Sequence, residues 1–312
     1  MTAEDNRAPT VSVGIPVFNG EDFVGQAIKS VLDQTYPDFE LLIQDNASTD
    51  ATAAICRSFA ERDPRIKYVR NPSNVGAINN FNLVFQRARG RYFKWAAHDD
   101  LCVPSFLERC VAILEEQPSV VLASGQTQLI NDDGSPVAYD PQQQCYVTRH
   151  GAPVGVIDPP DRAADDRPAS RFWDVLVRTM RTFEIFGLIR TETLRSTVLQ
   201  ENYYGSDKVL LAQLSLLGRF ALVDEVLLLR RCHPKQSSVL STRDKGSWIQ
   251  RPTKDDWLTH RLRYVIPGYL RVVTRSPVPL EQKLRCYGAI VYRLVAPQTW
   301  VKQFMPGRLT ES

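Results

Sequence analysis

Four times between Val11 and Glu116, an apolar run rich in β-branched residues gives way to an amphipathic stretch of about 10 to 15 residues. The runs 11–17, 39–44, 65–69 and 91–95 are predicted strands. Residues 21–34, 49–62, 76–88 and 104–116 are predicted helices, the last opened by Pro104. In the first helix Phe23, Ala27, Ile28, Val31 and Leu32 fall on one face. Strands and helices alternating at this spacing build a mostly parallel sheet flanked by helices, so the fold class is α/β. With 43% hydrophobic and 23% charged residues in 312, the chain can bury such a core, and collagenous or wholly disordered readings are excluded.

In an open sheet of this kind ligands bind beyond the carboxyl ends of the strands. Two acidic turns fall there: Asp45-Asn46 after the second strand, and Asp99-Asp100 after the fourth. Adjacent carboxylates on a tight turn can share a divalent cation and leave positions for phosphate oxygens. His98 has no spaced partners and is read as a structural residue. Residues 126–168, rich in Asp, Gln, Pro and Gly, are expected to form long loops. Beyond them, helices are expected near 170–180 and 207–217, strands near 183–189 and 220–229, and two tail helices at about 255–274 and 280–295.

The succession VSVGIPVFNGEDFVGQAIKSVLDQTYPDFELLIQDNASTD, followed by NPSNVGAINNFNLVFQRARGRYFKWAAHDD, resembles the nucleotide-binding half of family-2 glycosyltransferases. The resemblance is close over residues 10–124 and looser to about 238. It implies a GT-A fold, a Rossmann-like mixed sheet, and inverting transfer from a nucleotide-diphosphate sugar, UDP- or dTDP-linked, to a glycan, lipid-linked or small-molecule hydroxyl. By the same resemblance Pro16, Asn19, Asp45, Asn74 and Asn82 would line the donor pocket, with Asp45 accepting from the base. Asp99 and Asp100 match the motif that contacts ribose and holds Mn²⁺ or Mg²⁺, although Ala97 stands where a first carboxylate is usual. In YYGSDKVLLAQLSLLGRFALVDEVLLLRRCHPKQSS, Asp207 matches the catalytic carboxylate and Ser206 replaces a second acid. Arg231 and His233 match the arginine-histidine ending that reaches the diphosphate or the metal. From residue type alone, Asp207 could equally cap the helix that begins beside it.

Residues 1–240 are therefore expected to form the catalytic domain, with a donor half at 10–125 and an acceptor half at 126–240, followed by a helical extension at 241–312. A nucleotidyltransferase is disfavoured because GIPVFNGED lacks a basic phosphate loop, and a dinucleotide-binding fold because GxGxxG is absent. Ala97 and Ser206 leave a donor-binding module without turnover as the non-enzymatic alternative. A net charge of +3 gives no case for a nucleic-acid partner. The charge is nevertheless uneven: residues 249–312 carry 11 Lys and Arg against 4 Asp and Glu. Apolar residues among those arginines, from Leu258 to Leu270, could rest on an anionic bilayer, pack on the catalytic domain or form a homodimer interface. Six cysteines without metal-ligand spacing, and an N-terminus without a secretory leader, fit a cytoplasmic protein with reduced thiols, free or associated with the inner membrane face.

Overall fold

The computed structural model describes residues 7–155, 163–179, 181–236 and 257–295. Strands β1 (Val11–Val17), β2 (Phe39–Asp45), β3 (Ile66–Arg70) and β4 (Tyr92–Trp95) pair in parallel in the order β3-β2-β1-β4. They alternate with helices α1 (Val24–Leu32), α2 (Thr52–Arg62) and α3 (Ala77–Gln86). Every residue of β1 and β2 is buried, as expected for central strands covered on both faces. After β4 come the short β5 (Leu101–Cys102) and helix α4 (Phe106–Glu116).

The sheet continues through β10 (Leu188–Arg190), β6 (Val120–Asn131), β11 (Arg219–Cys232) and β5. β10 runs antiparallel to both β4 and β6, so β6 and β11 point the same way as β1 to β4. All six long strands therefore end on one edge. The pleat divides the core between the faces: Val11, Val13, Ile15, Leu41 and Ile43 pack with α1, α2 and α4. Leu42, Phe93, Trp95 and Leu122 face the other side, towards α3, α5 (Pro168–Trp173) and α7 (Ser206–Leu217).

Two expectations are corrected. The expected loops at 126–168 contain the second half of β6 and a three-stranded antiparallel sheet of β7 (Ala138–Asp140), β8 (Cys145–Val147) and β9 (Pro153–Gly155). Its polar residues form strands because β11 supplies parallel partners for β6 as far as Asn131. The expected strand at 183–189 is a 3₁₀ turn, Phe183–Phe186, leading into β10. A short helix α6 (Thr191–Arg195) follows.

In the tail, α8 (Trp257–His260) passes through a π-helical turn, Arg261–Val265, into α9 (Ile266–Arg275), and α10 (Leu280–Val295) closes the described chain. Val265, Ile266, Tyr269, Val273 and Ile290 share one core with α5 and α7. A Cβ on Gly268 would lie 2.5 Å from the Tyr203 hydroxyl, so glycine is what lets α9 approach that closely. The boundary expected near residue 240 lies outside the described residues.

Candidate active site at the carboxyl edge of the sheet

The loops after β1 and β2 are cross-braced. Asn19 donates its backbone N–H to Ser48 Oγ and accepts at Oδ1 from the Thr49 N–H, 3.0 and 2.9 Å. Gly20 N–H donates to Thr52 Oγ1, and the Glu21 and Ala51 amides are taken by Asp50 and Glu21 carboxylates. Asn19 and Ala47 adopt positive φ, 50° and 62°, so both loops are held in a sparsely populated backbone region that these bonds fix. Gly20 is further constrained, because a Cβ there would meet His98 Cδ2 at 2.6 Å. His98 thus packs on the β1 loop, as a structural residue would.

At the end of β2, Asp45 is fully buried. Its carboxylate accepts from the Ser48 N–H at 2.8 Å and the Tyr68 hydroxyl at 2.7 Å, with Arg70 Nε at 3.5 Å. Burial, and then the bond to Asp45, push the Tyr68 phenol well up. Beside it Asn46 donates to Asn74 Oδ1 and accepts from Asn71 Nδ2 and the Val75 N–H. Asn74 therefore joins the Asp45 end of the edge, as does Pro16, buried in β1 opposite Gln44. Asn82 does not: it reaches from α3 to the Gln200 carbonyl at 2.7 Å.

The loop after β4 meets the end of β11. Arg231 donates its backbone N–H to Asp100 Oδ1 and its Nε to the Asp99 carbonyl, both at 2.9 Å. Its other nitrogens reach the Asp132 carbonyl at 2.8 Å and Gln26 Oε1 at 2.9 Å, and the guanidinium lies over the Phe23 ring. At 1% exposure, Arg231 is a buried clamp joining four segments of chain. His233 Nε2 lies 2.9 Å from Asp99 Oδ2, its ring 4.9 Å from Phe23. Burial opposes ionisation of Asp99, but His98, the His233 bond and Arg230 outweigh it and hold the carboxyl well below the usual range.

Asp100 has the opposite balance. Burial first, and the Asp99 charge second, push its carboxyl up to about 6. Its Oδ2 is buried and makes no hydrogen bond among the described residues; Arg230 Nη1 stands 3.9 Å away. A buried carboxylate oxygen lacking a donor is costly unless something else neutralises it. Asp99 and His233 stand nearby but are paired with each other, and among the described residues no three His, Cys, Asp or Glu side chains converge as a preformed metal site.

Arg230 links this pair to the third element, its guanidinium 4.8 Å from the Phe183 ring centroid. The preceding Thr182 donates its hydroxyl to Asp207 Oδ2 at 2.6 Å. Asp207 sits in the first turn of α7, which starts from Gly205 at φ 90°, a conformation that favours glycine. Burial, with the Asp207 charge adding to it, pushes up the Tyr269 phenol on α9. Sequence reasoning missed Thr182, which no local pattern marks. It also missed Lys94, which is 1% exposed in β4, donates to the Phe186 carbonyl, and lies 3.9 Å from the Phe106 ring centroid. A lysine inside the otherwise aromatic run YFKW was the available signal.

Comparison with known proteins agrees with this fold. The model of the family described as glycosyl transferase family 2 matches residues 12–150. An uncharacterized glycosyltransferase of Haemophilus influenzae is 31% identical over 124 residues, which is 40% of this chain and 38% of that one. The putative teichuronic acid biosynthesis glycosyltransferase TuaG of Bacillus subtilis is 34% identical over 132 residues, 42% of this chain and 52% of that one. The matched region thus spans about half or less of those relatives. Among solved structures, S. aureus TarS 1–349 in complex with UDP superposes with TM-score 0.61 at 16% identity, covering 92% of this chain and 72% of that one. Mannosyltransferase PcManGT from Pyrobaculum calidifontis, in complex with GDP-Man and Mn²⁺, gives 0.55 at 16% identity over 96% and 74%. Residues 12–150, set in a GT-A-type sheet, are thus similar to glycosyl transferase family 2.

Proposed function

We propose that the chain transfers a sugar, with inversion, from a nucleoside diphosphate sugar to an acceptor hydroxyl, in the synthesis of a cell-surface polysaccharide or glycolipid. The observation that carries this reading is the orphaned Asp100 Oδ2, buried beside Asp99 and His233 at the strand edge where ligands of α/β sheets lie. The UDP of the TarS complex, the GDP-Man and Mn²⁺ of PcManGT, and the teichuronic acid role named for TuaG support it by likeness.

A divalent cation, when bound, would supply positive charge against the departing diphosphate; Asp99, Asp100 and His233 are its candidate ligands, His233 Nε2 only on leaving Asp99 Oδ2. The chain's own residues divide the remaining work. The braced loops carrying Asn19, Asp45 and Asn74 set the shape of the base-binding end. Because the Asp45 carboxylate is already held by Ser48 and Tyr68, its contribution to base recognition passes through that network. Arg230 would face the diphosphate, while Arg231 fixes the acidic turn from behind. Asp207, oriented by Thr182, would accept the proton of the attacking hydroxyl as general base.

The test is thermal unfolding with UDP, dTDP, GDP or CDP, each with Mn²⁺, Mg²⁺ or a chelator. Saturation at one hundred times the dissociation constant stabilises the native state by about 2.7 kcal/mol. A metal-dependent shift with one nucleotide, lost in Asp100→Ala, is the expected result. Asp207→Asn should keep that shift and lose transfer. No shift with any nucleotide, or full transfer by Asp207→Asn, overturns the reading.

A further inference from the structure

We infer that α10, with the adjoining part of α9, seats this protein on an anionic lipid surface. α10 is apolar on two opposite faces. Cys286, Ala289 and Ile290 are buried in the core it shares with α5 and α7. On the far side Leu280, Leu284, Val291 and Val295 are 70%, 61%, 56% and 70% exposed. Their spacing of four, seven and four places all of them on one stripe, and Gly288 within it adds no side chain. An ordinary surface helix is polar on the face away from the core.

The stripe continues onto α9. The Thr274 hydroxyl lies 2.9 Å from the Tyr287 hydroxyl at the border of the stripe. Leu270, one turn earlier on the same row as Thr274, is 41% exposed.

Charge selects the occupant. From residue 257 to 295 the chain carries seven Lys and Arg, Arg293 among them buried, and a single acid, Glu281, which pairs with Arg285. Lys283 and Arg285 flank Leu284 in the chain, and Arg271, paired with Glu201, and Arg275 stand in the last two turns of α9. A second copy packed on this stripe would bring two sets of like charges together. A bilayer of anionic lipids takes up the apolar stripe and attracts the basic border. α9, which carries Leu270 of the stripe, packs on α7, the helix whose first turn holds Asp207. Only the corollary that a lipid-linked acceptor is presented from this surface rests on the reading of Asp207 as the base.

The experiment is co-sedimentation of the full chain with phosphatidylcholine vesicles, with and without about 30 mol % phosphatidylglycerol, at low and high salt. Binding is expected only to the anionic vesicles and to weaken with salt. It should fall at least about tenfold in Leu284→Glu/Val291→Glu and in Lys283→Glu/Arg285→Glu. Leu284, Val291 and Arg285 are exposed and Lys283 is half-buried with its Nζ on the Thr274 carbonyl, so melting close to that of the wild type should accompany the loss. Equal binding to neutral vesicles, wild-type binding by the apolar double variant, or a dimer by light scattering that this variant dissociates would each overturn the inference. Binding of UDP with Mn²⁺, measured calorimetrically on the same proteins, reports on the donor site separately: its absence with vesicle binding intact refutes the donor reading and leaves this one standing.

Discussion

Replacing Arg231 separates two roles for it, contact with the donor diphosphate and clamping of the acidic turn. The side chain is 1% exposed and its nitrogens reach the Asp99 and Asp132 carbonyls and Gln26 Oε1 at 2.8 to 2.9 Å. Hydrogen bonds made by a charged group contribute about 1.5 to 3 kcal/mol each, and three of them are not additive. Removing one partner of a buried charge cluster costs about 3 to 5 kcal/mol, and here Asp99 and Asp100 would be left less compensated. Arg231→Met, which retains most of the aliphatic stem but not the guanidinium over Phe23, should therefore lose about 3 to 5 kcal/mol of unfolding free energy. Arg231→Lys keeps the charge but cannot span the fork, and should lose about 2 to 3 kcal/mol. The assay is urea denaturation of the nucleotide-free protein, followed by far-UV circular dichroism. A loss below about 1 kcal/mol in both variants, with weakened nucleotide binding, would refute the clamp and restore Arg231 to the diphosphate.

Three other outcomes follow from the same structure. Thr182→Val removes the 2.6 Å bond to Asp207 and should lower kcat about tenfold, a loss of about 1.4 kcal/mol, with the donor KM unchanged; a wild-type kcat would remove Thr182 from the orientation of the base. Gly268→Ala places a Cβ against the Tyr203 hydroxyl, which must move together with α9; a loss of about 1 to 3 kcal/mol is expected in the same urea assay, and an unchanged midpoint would mean the tail helices are not rigidly docked. All six cysteines are buried, and burial pushes the Cys56 and Cys110 thiols up to about 12 and Cys286 up to about 11. The native protein should be inert to an aromatic disulfide reagent at pH 8 and the urea-unfolded protein should titrate six thiols, whereas rapid native labelling would contradict the burial.

Much of the donor half was legible because its signals are local. β1 spans Val11–Val17 and α10 spans Leu280–Val295 as their patterns predict, since a period of two or 3.6 in apolar residues already states which face is buried. The same reading put Asp45, Asp99 and Asp207 at element ends on chain order alone. It could not find strands in GQTQLIN, which has no clean alternation and becomes the end of β6 only because β11 lies alongside. Nor could it show that the polar residues beyond would form a small antiparallel sheet.

The sequence by itself determined the α/β class, the resemblance of the donor half to family-2 glycosyltransferases, and the residue types gathered at the carboxyl edge, because hydrophobic period, turn chemistry and motif order are written along the chain. Only the tertiary structure decided the division of labour within ArgArgCysHis. Arg230 faces the orphaned Asp100 oxygen, Arg231 is buried behind the acidic turn, and His233 meets Asp99. The tertiary structure likewise decided that the tail helices close the core around the Asp207 helix rather than standing apart. The physical reason is the same in both cases. Neighbours on a strand or helix point to different faces, and what each face meets is set by segments distant along the chain, whose approach no local pattern encodes.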